Sequence, residues 1–419
     1  MGREKSLENP RGGPHNAKGQ TRGVEEPLMI TCRTVADLQA LEELRAPWER
    51  LTAGGAGDPL FGSHLWNSLW WKHYAGLGEL RTLVAEQDGE VVAIWPLFLA
   101  DRTFGEVEID MIGPRRMPLP GKGLRLRTLA YLGSGEICSD FLAPIVQPNL
   151  AAPALDALAG RLAAQRDWDL LDLPDMLADN PTLPALRAAL SHHLTKPRER
   201  FRYHAPYAPL APTYDEYLDS LSKKGRYNAR KKLRQLQLNH RVEHCFHSDP
   251  ATLPAAMDEF IRLHQERWNA DGLPGVFVNE RFIGFHRDLA ARLLERGALR
   301  LGFLRVNGQA VFATYGFQIG DRVYLYQQGG SADRYWDNYN LGYVALGFAM
   351  ADAVERGARV YDFLRGNAEY KQHWAKEHRD LVQWQAARRG VRGRLFLAHS
   401  YVNTDDRWRA RMKKMLGGS

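Results

Sequence analysis

The residues best placed to do chemistry lie in Tyr361-Asp-Phe-Leu-Arg-Gly-Asn-Ala-Glu-Tyr-Lys371, with Trp374 just beyond. Val360 to Leu364 is a short apolar run and reads as a buried strand. It breaks at Gly366 into a polar turn holding Arg365, Glu369, Tyr370 and Lys371. Open α/β sheets bind ligands at such strand ends. Before it lies a helix, roughly residues 340–356, opening on Asn340-Leu341-Gly342. A helix start presents unpaired N–H groups and the positive end of the dipole, so it suits a phosphate. It also reads as an ordinary Asn-capped helix.

These residue types fit acid–base-assisted transfer of a group to a nucleophile. It needs a base for the nucleophile's proton, donors for the oxyanion and an acid for the leaving group. Tyr326 and Tyr370 are candidate acids, and Asp362, Glu369 and His264 candidate bases. Arg365 and Lys371 are candidates to hold the acceptor or the oxyanion. His264 and Trp268 stand one turn apart on a helix expected over Leu253 to Asn269, with Arg267 beside them. A histidine there reads equally as a core residue. Ser222 to Arg234 carries Lys223, Lys224, Arg226, Arg230, Lys231, Lys232 and Arg234 without an acid. Arg226, Arg230 and Arg234 share a helix face and suit an anionic acceptor, or form a solvated basic face. No metal site is expected. His240, His244, Cys245 and His247 fit no zinc spacing, and Gly121-Lys122 is not a phosphate-binding loop.

Asp362-Phe-Leu-Arg-Gly366, Tyr370-Lys371 and Trp374 resemble the closing motif of the CelD-type cellulose-biosynthesis acetyltransferases. These belong to the GNAT superfamily and are related to the FemAB-type aminoacyl transferases. Ser222-Lys-Lys-x-Arg226-x-x-x-Arg230, Leu263-His264-x-x-Arg267-Trp268 and Tyr324-x-Tyr326-Gln327 extend the resemblance over most of 213–390. It implies tandem GNAT-like α/β domains, each a mixed, mostly antiparallel sheet flanked by helices. The donor would be acetyl-CoA or another acyl-CoA, a co-substrate rather than a resident cofactor. Its pyrophosphate would sit on Asn340, Leu341 and Gly342, beyond the strand ending at Gln328. The family usually carries Pro-Gly where this chain has Leu341-Gly342, a change that keeps the backbone donors. The acceptor implied is a sugar or cell-envelope precursor. Arg226, Arg230, Arg267, Trp268, Arg365, Lys371 and Trp374 would line its site. An aminoacyl-tRNA donor, or a non-catalytic module docking on an envelope polysaccharide synthase, is the alternative.

These residues must be positioned by a chain of 419 residues, long enough for two domains. Residues 1–27 read as a disordered tail, 28–205 as a first GNAT-like half without catalytic function, 206–390 as the catalytic half and 391–419 as a basic tail or helix. The halves repeat. At one constant offset Gly78 falls on Gly297, and Asp88-Gly89 on Asn307-Gly308. At a second, Leu150 to Leu173 falls on Asn340 to Phe363, with Asp172 opposite Asp362. Only the second copy continues into an arginine and a Tyr-Lys pair. Trp66, Trp70 and Trp71 form a helical stripe expected in the core. Apolar content of 44% and charged content of 25% are those of a globular chain. No apolar run suffices for a membrane span, and no secretory signal is visible. Three scattered cysteines suit the cytoplasm. A net charge of +7 favours anionic ligands without choosing among them.

Overall fold

The computed structural model describes residues 29–103, 109–110, 113–114, 125–366 and 368–404. Of the two expected tails, residues 1–27 and 405–419 lie outside these residues, as does Gly121-Lys122, while Val391–Thr404 is a helix.

The halves follow one plan. The first runs through strand Ile30–Val35, helices Leu38–Glu43, Arg45–Ala53 and His64–Tyr74, and hairpin strands Thr82–Gln87 and Glu90–Trp95. It continues through Leu97–Thr103, strand Arg125–Tyr131, helix Ala151–Ala164 and strand Leu170–Leu177. The second runs through strand Val242–Phe246, helices Leu253–Ala270 and Glu280–Glu295, and hairpin strands Leu299–Val306 and Gln309–Ile319. Strand Arg322–Gly330, helix Leu341–Glu355 and strand Val360–Asp362 follow. The matching turns also match in torsion. Asp88 and Gly89 have φ of 54° and 82°, Asn307 and Gly308 of 53° and 87°. Two positive φ values in a row define the hairpin turn that Asp-Gly and Asn-Gly favour. One departure has a local cause. Pro96 has no N–H for a ladder, and it separates Glu90–Trp95, in a four-stranded sheet, from Leu97–Thr103, in an eleven-stranded one.

The large sheet crosses both halves because each finishes the other's edge. Strand Arg198–Pro209 leaves the first half and pairs with Val360–Asp362, Tyr207 opposite Asp362. The last strand, Glu377–Ala387, pairs with Arg198–Pro209 on one side and with Leu170–Leu177 on the other. The sheet is mostly antiparallel. Its parallel pairings are the same in both halves and equally short. Thr128, Leu129 and Ala130 oppose Leu170, Leu171 and Asp172. Arg322, Val323 and Tyr324 oppose Val360, Tyr361 and Asp362. Past these rungs the strands part.

The main core also spans both halves. Trp66 and Trp70 are fully buried, so the tryptophan stripe is core. The Trp66 ring lies 5.0 Å from Phe285 and 5.9 Å from Tyr326, both in the second half. Its Nε1 donates to Ser139 Oγ at 2.8 Å. Among the described residues no helix is long and apolar enough to cross a membrane.

Candidate active site

The gap between the parting strands of the second half is the candidate site. One wall is Leu325 to Gly330, paired with Gln309–Ile319 on its far side but with no strand on the side of Val360–Asp362. A strand edge left this way exposes backbone donors and acceptors to a ligand. Beyond it stands the helix Leu341–Glu355. Its N-cap, Asn340, has φ 52° and ψ 58°, the left-handed region that asparagine tolerates best after glycine. No side chain caps the helix. The Asn340 carbonyl accepts from Tyr343 N and Val344 N at 2.9 and 3.3 Å. The N–H groups ahead of these are the orphans that attract an anion. Gly342 packs on Phe312, whose ring would lie 3.1 Å from a Cβ there.

Tyr370 opens the helix Glu369–Trp374 that follows the other wall. Its hydroxyl meets the Gln328 side chain across the gap, with Arg267 in electrostatic reach. Burial outweighs both and pushes the phenol up to about 12. At neutral pH it is a protonated hydroxyl, a proton donor and not a base. Arg267 is exposed, and Trp268 beside it is half-buried.

His264 lies under this wall. Its helix approaches so closely that a Cβ at Gly329 would stand 2.4 Å from His264 N, so the strand needs glycine there. The tautomer follows from its neighbours. Gln265 Nε2 donates to the Pro274 carbonyl at 2.7 Å, which leaves Gln265 Oε1 to accept from Phe277 N. The same oxygen faces His264 Nδ1 at 3.1 Å, so Nδ1 carries the proton and the lone pair is on Nε2. The Gln327 amide also acts on the ring. Burial among Trp268, Phe260 and Phe277 pulls the imidazole down to about 4. Such a nitrogen accepts hydrogen bonds at neutral pH but holds an abstracted proton poorly.

Other candidates are committed elsewhere. Tyr326 is buried and donates to the Ile137 carbonyl of the first half, so it is no acid at the gap. Arg365 does not hold an acceptor. Its guanidinium is buried against Asp140, the Ser139 carbonyl and Asp175 Oδ2, the last at 3.0 Å. Its backbone N–H also donates to Asp140 at 2.7 Å. Lys371 is buried too and donates to the Leu364 and Arg365 carbonyls, the first at 3.1 Å. Desolvation lowers its ammonium to about 8. It secures a turn in which Leu364 has φ 57° and Gly366 φ 110°. Trp374 is fully buried, 4.5 Å from the Tyr343 ring, and is core instead of a substrate platform.

Asp362 is a positioning carboxylate. It is fully buried, with Oδ1 taking the Leu364 N–H at 2.9 Å and Oδ2 taking Arg379 Nη1 at 2.9 Å. Arg322 stands 3.9 Å away. Desolvation, partly offset by Arg379, raises its carboxyl to about 6. Neither oxygen is free to reach a substrate in the gap.

The basic helix Lys223–Asn239 lies along Leu341–Glu355, where Tyr343 donates to the Gly225 carbonyl at 3.0 Å. Arg226 pairs with Asp219 at 3.1 Å and Arg230 with Asp215 at 3.5 Å, at exposed positions. Such pairs are weak and exchange readily with a ligand. Lys232 reaches the Asn338 carbonyl at 3.1 Å and so sits beside the uncapped helix start. An aromatic group gathers at the same place. Tyr335 Oη is 3.1 Å from His240 Nε2, and Trp336 and Tyr339 pack on that imidazole. Sequence reasoning missed this group, although Tyr335-Trp336-x-x-Tyr339 just before the helix was its signal.

Residues 223–372 match the model of the acetyltransferase (GNAT) domain family. The C-terminal half therefore carries a GNAT-type acyltransferase domain. The match spans the basic helix, His264, both walls of the gap and Tyr370. The crystal structure of FemX is similar in fold at 13% identity, over 88% of this chain and 99% of that chain, with a TM-score of 0.53. A conserved protein of unknown function from Bacteroides thetaiotaomicron aligns at 12% identity over 86% and 100% of the two chains, with a TM-score of 0.48. A tandem GNAT protein from the clavulanic acid biosynthesis pathway aligns at 12% over 87% and 100%, with a TM-score of 0.43. No curated protein matches the chain. With the GNAT match on the second half and the same order of elements in the first, the fold is tandem GNAT-like.

Proposed function

We propose that the chain is an acyl-CoA-dependent N- or O-acyltransferase whose acceptor is a sugar or cell-envelope precursor, working in the cytoplasm in the manner of the CelD-type enzymes it resembles. Residues 206–390 are the catalytic unit and the first half its scaffold. The observation that carries this reading is the gap itself: two parallel strands paired for only three rungs, with an uncapped helix start beyond. A pantetheine arm would pair with the open edge of Leu325 to Gly330. The pyrophosphate would meet the N–H groups of Leu341 and Gly342 with Lys232 beside it, and the adenine would stack on the Tyr335 group. Tyr370 would protonate the departing thiolate and recover its proton, through solvent, from the acceptor group once it has attacked, and Arg267 and Trp268 would orient the acceptor. No covalent intermediate is needed, since direct attack on the thioester suffices.

A second reading keeps the chemistry and changes the donor to aminoacyl-tRNA, supported by the basic helix beside the same opening. The test is thiol release from acetyl-CoA over a panel of amino sugars and hydroxyl acceptors, run beside binding of aminoacyl-tRNA. Acceptor-dependent thiol release supports the first reading. Binding of aminoacyl-tRNA without binding of acetyl-CoA would replace it with the second. Binding of neither by folded protein would leave a docking module.

A further inference from the structure

A separate cluster lies on the seam that joins the halves. In the antiparallel register of Arg198–Pro209 with Glu377–Ala387, His204 stands opposite Asp380 and Pro206 opposite His378. Residues two apart on a strand share a face, so His378 and Asp380 lie on one side of the sheet with His204 facing them. His204 Nδ1 is 2.7 Å from Asp380 Oδ1, and His378 Nε2 is 3.7 Å from the same oxygen. The imidazole centroids are 4.4 Å apart, and ligand atoms of all three residues lie within 4.8 Å of one another. Tetrahedral zinc holds nitrogen and oxygen at about 2.0–2.2 Å, which separates two ligands by roughly 3.3 Å. The measured separations fall on either side of that value.

We propose that His204, His378 and Asp380 form a three-ligand site for a divalent transition ion. Two ligands on alternate positions of one strand and one from its neighbour occupy three corners of a tetrahedron. The fourth is open toward the depression bounded by Pro206, Gln372, Lys376 and Glu377. All three side chains are partly exposed, so an ion enters without rearrangement of the core. The site has a consequence for the fold. Arg379, between two of the ligands, points to the opposite face and holds Asp362 at 2.9 Å. An ion on this face fastens the two strands whose pairing makes the sheet continuous.

Asp156 with His192 and His193 is another such group and serves as the control. Both histidines bond Asp156 Oδ1, at 2.9 and 3.1 Å, and all three residues belong to the first half, so an ion there would not fasten the seam.

The test uses the full chain, stripped with a chelator, then titrated with Zn²⁺ by calorimetry and with Co²⁺ by visible absorption. Wild type is compared with His378→Ala, Asp380→Asn and the double variant His192→Ala, His193→Ala. The site predicts a Zn²⁺ equivalent that either seam variant weakens by about tenfold or more and the double variant leaves unchanged. The Co²⁺ band should follow the same pattern, and Zn²⁺ should raise the melting temperature of wild type more than that of His378→Ala. His378 is exposed, so His378→Ala should fold, and circular dichroism verifies this. No saturable Zn²⁺ binding by wild type, a smaller loss in the folded seam variants, or loss of the equivalent in the double variant would overturn the proposal.

Discussion

Arg365 Nη1 meets Asp175 Oδ2 at 3.0 Å, and the two residues hold the same place in the two halves. Asp175 stands three residues past Asp172, and Arg365 three past Asp362. Those aspartates close the short parallel pairing in each half, opposite Ala130 and Tyr324. Equivalent points of two copies touch only near the axis relating them, so the gaps of the two halves open around a shared centre. At this matched place one half carries an acid and the other a base.

Arg365→Ala should destabilise the chain by about 3–5 kcal/mol, because Asp140 and Asp175 would remain buried without their counter-charge. Equilibrium denaturation in urea measures this. A residue that held substrate at the surface would cost little stability.

The duplicated plan was legible in the sequence because its markers are local. Asp88-Gly89 and Asn307-Gly308 set their own torsions, and Asn340 marks the start of its helix. The roles of Tyr326, Arg365 and Trp374 were not legible. An arginine after a buried strand reads alike whether its acid comes from a ligand or from the chain. Here the acids are Asp140 and Asp175, in the other half, and the acceptor for Tyr326 is a carbonyl there. The exchange of strand Arg198–Pro209 between the halves was likewise not legible, since pairing across halves leaves no periodic trace.

Asp362 should make stability fall as pH rises. Its folded-state carboxyl is raised to about 6 from an ordinary 3.8, so the folded chain binds a proton that the unfolded chain has released. Its charge is a cost to folding that appears between about pH 4 and 6, worth up to about 3 kcal/mol. Relative to Asp362→Asn, wild type should lose stability across that window. A flat difference between the two chains would show that Arg379 fully compensates the burial.

Tyr370→Phe removes the hydroxyl and leaves the ring. Turnover with an acceptor that supports thiol release should fall by about 10²-fold, with acetyl-CoA affinity little changed. Stopped assays and calorimetry separate the two. A loss confined to donor affinity would make Tyr370 a binding residue.

Gly329→Ala should cost about 1–3 kcal/mol, since its Cβ would lie 2.4 Å from His264 N and 2.7 Å from Leu263 C, both backbone atoms. Thermal unfolding reports it. An unaffected melting temperature would mean that the wall of the gap is more yielding than this packing implies.

The donor site at the helix start is the central claim, and calorimetric titration of wild type and Asn340→Asp with coenzyme A tests it most directly. Asn340 makes no cap bond through its side chain, and a carboxylate there would face the bound pyrophosphate. Near a helix N-terminus that same charge is worth about 0.3–1 kcal/mol of stability, so the variant should melt no earlier than wild type. The account predicts micromolar binding by wild type and a loss of about tenfold or more in the variant from repulsion at that terminus. Equal affinity in the two folded chains, or no binding by wild type, would contradict it.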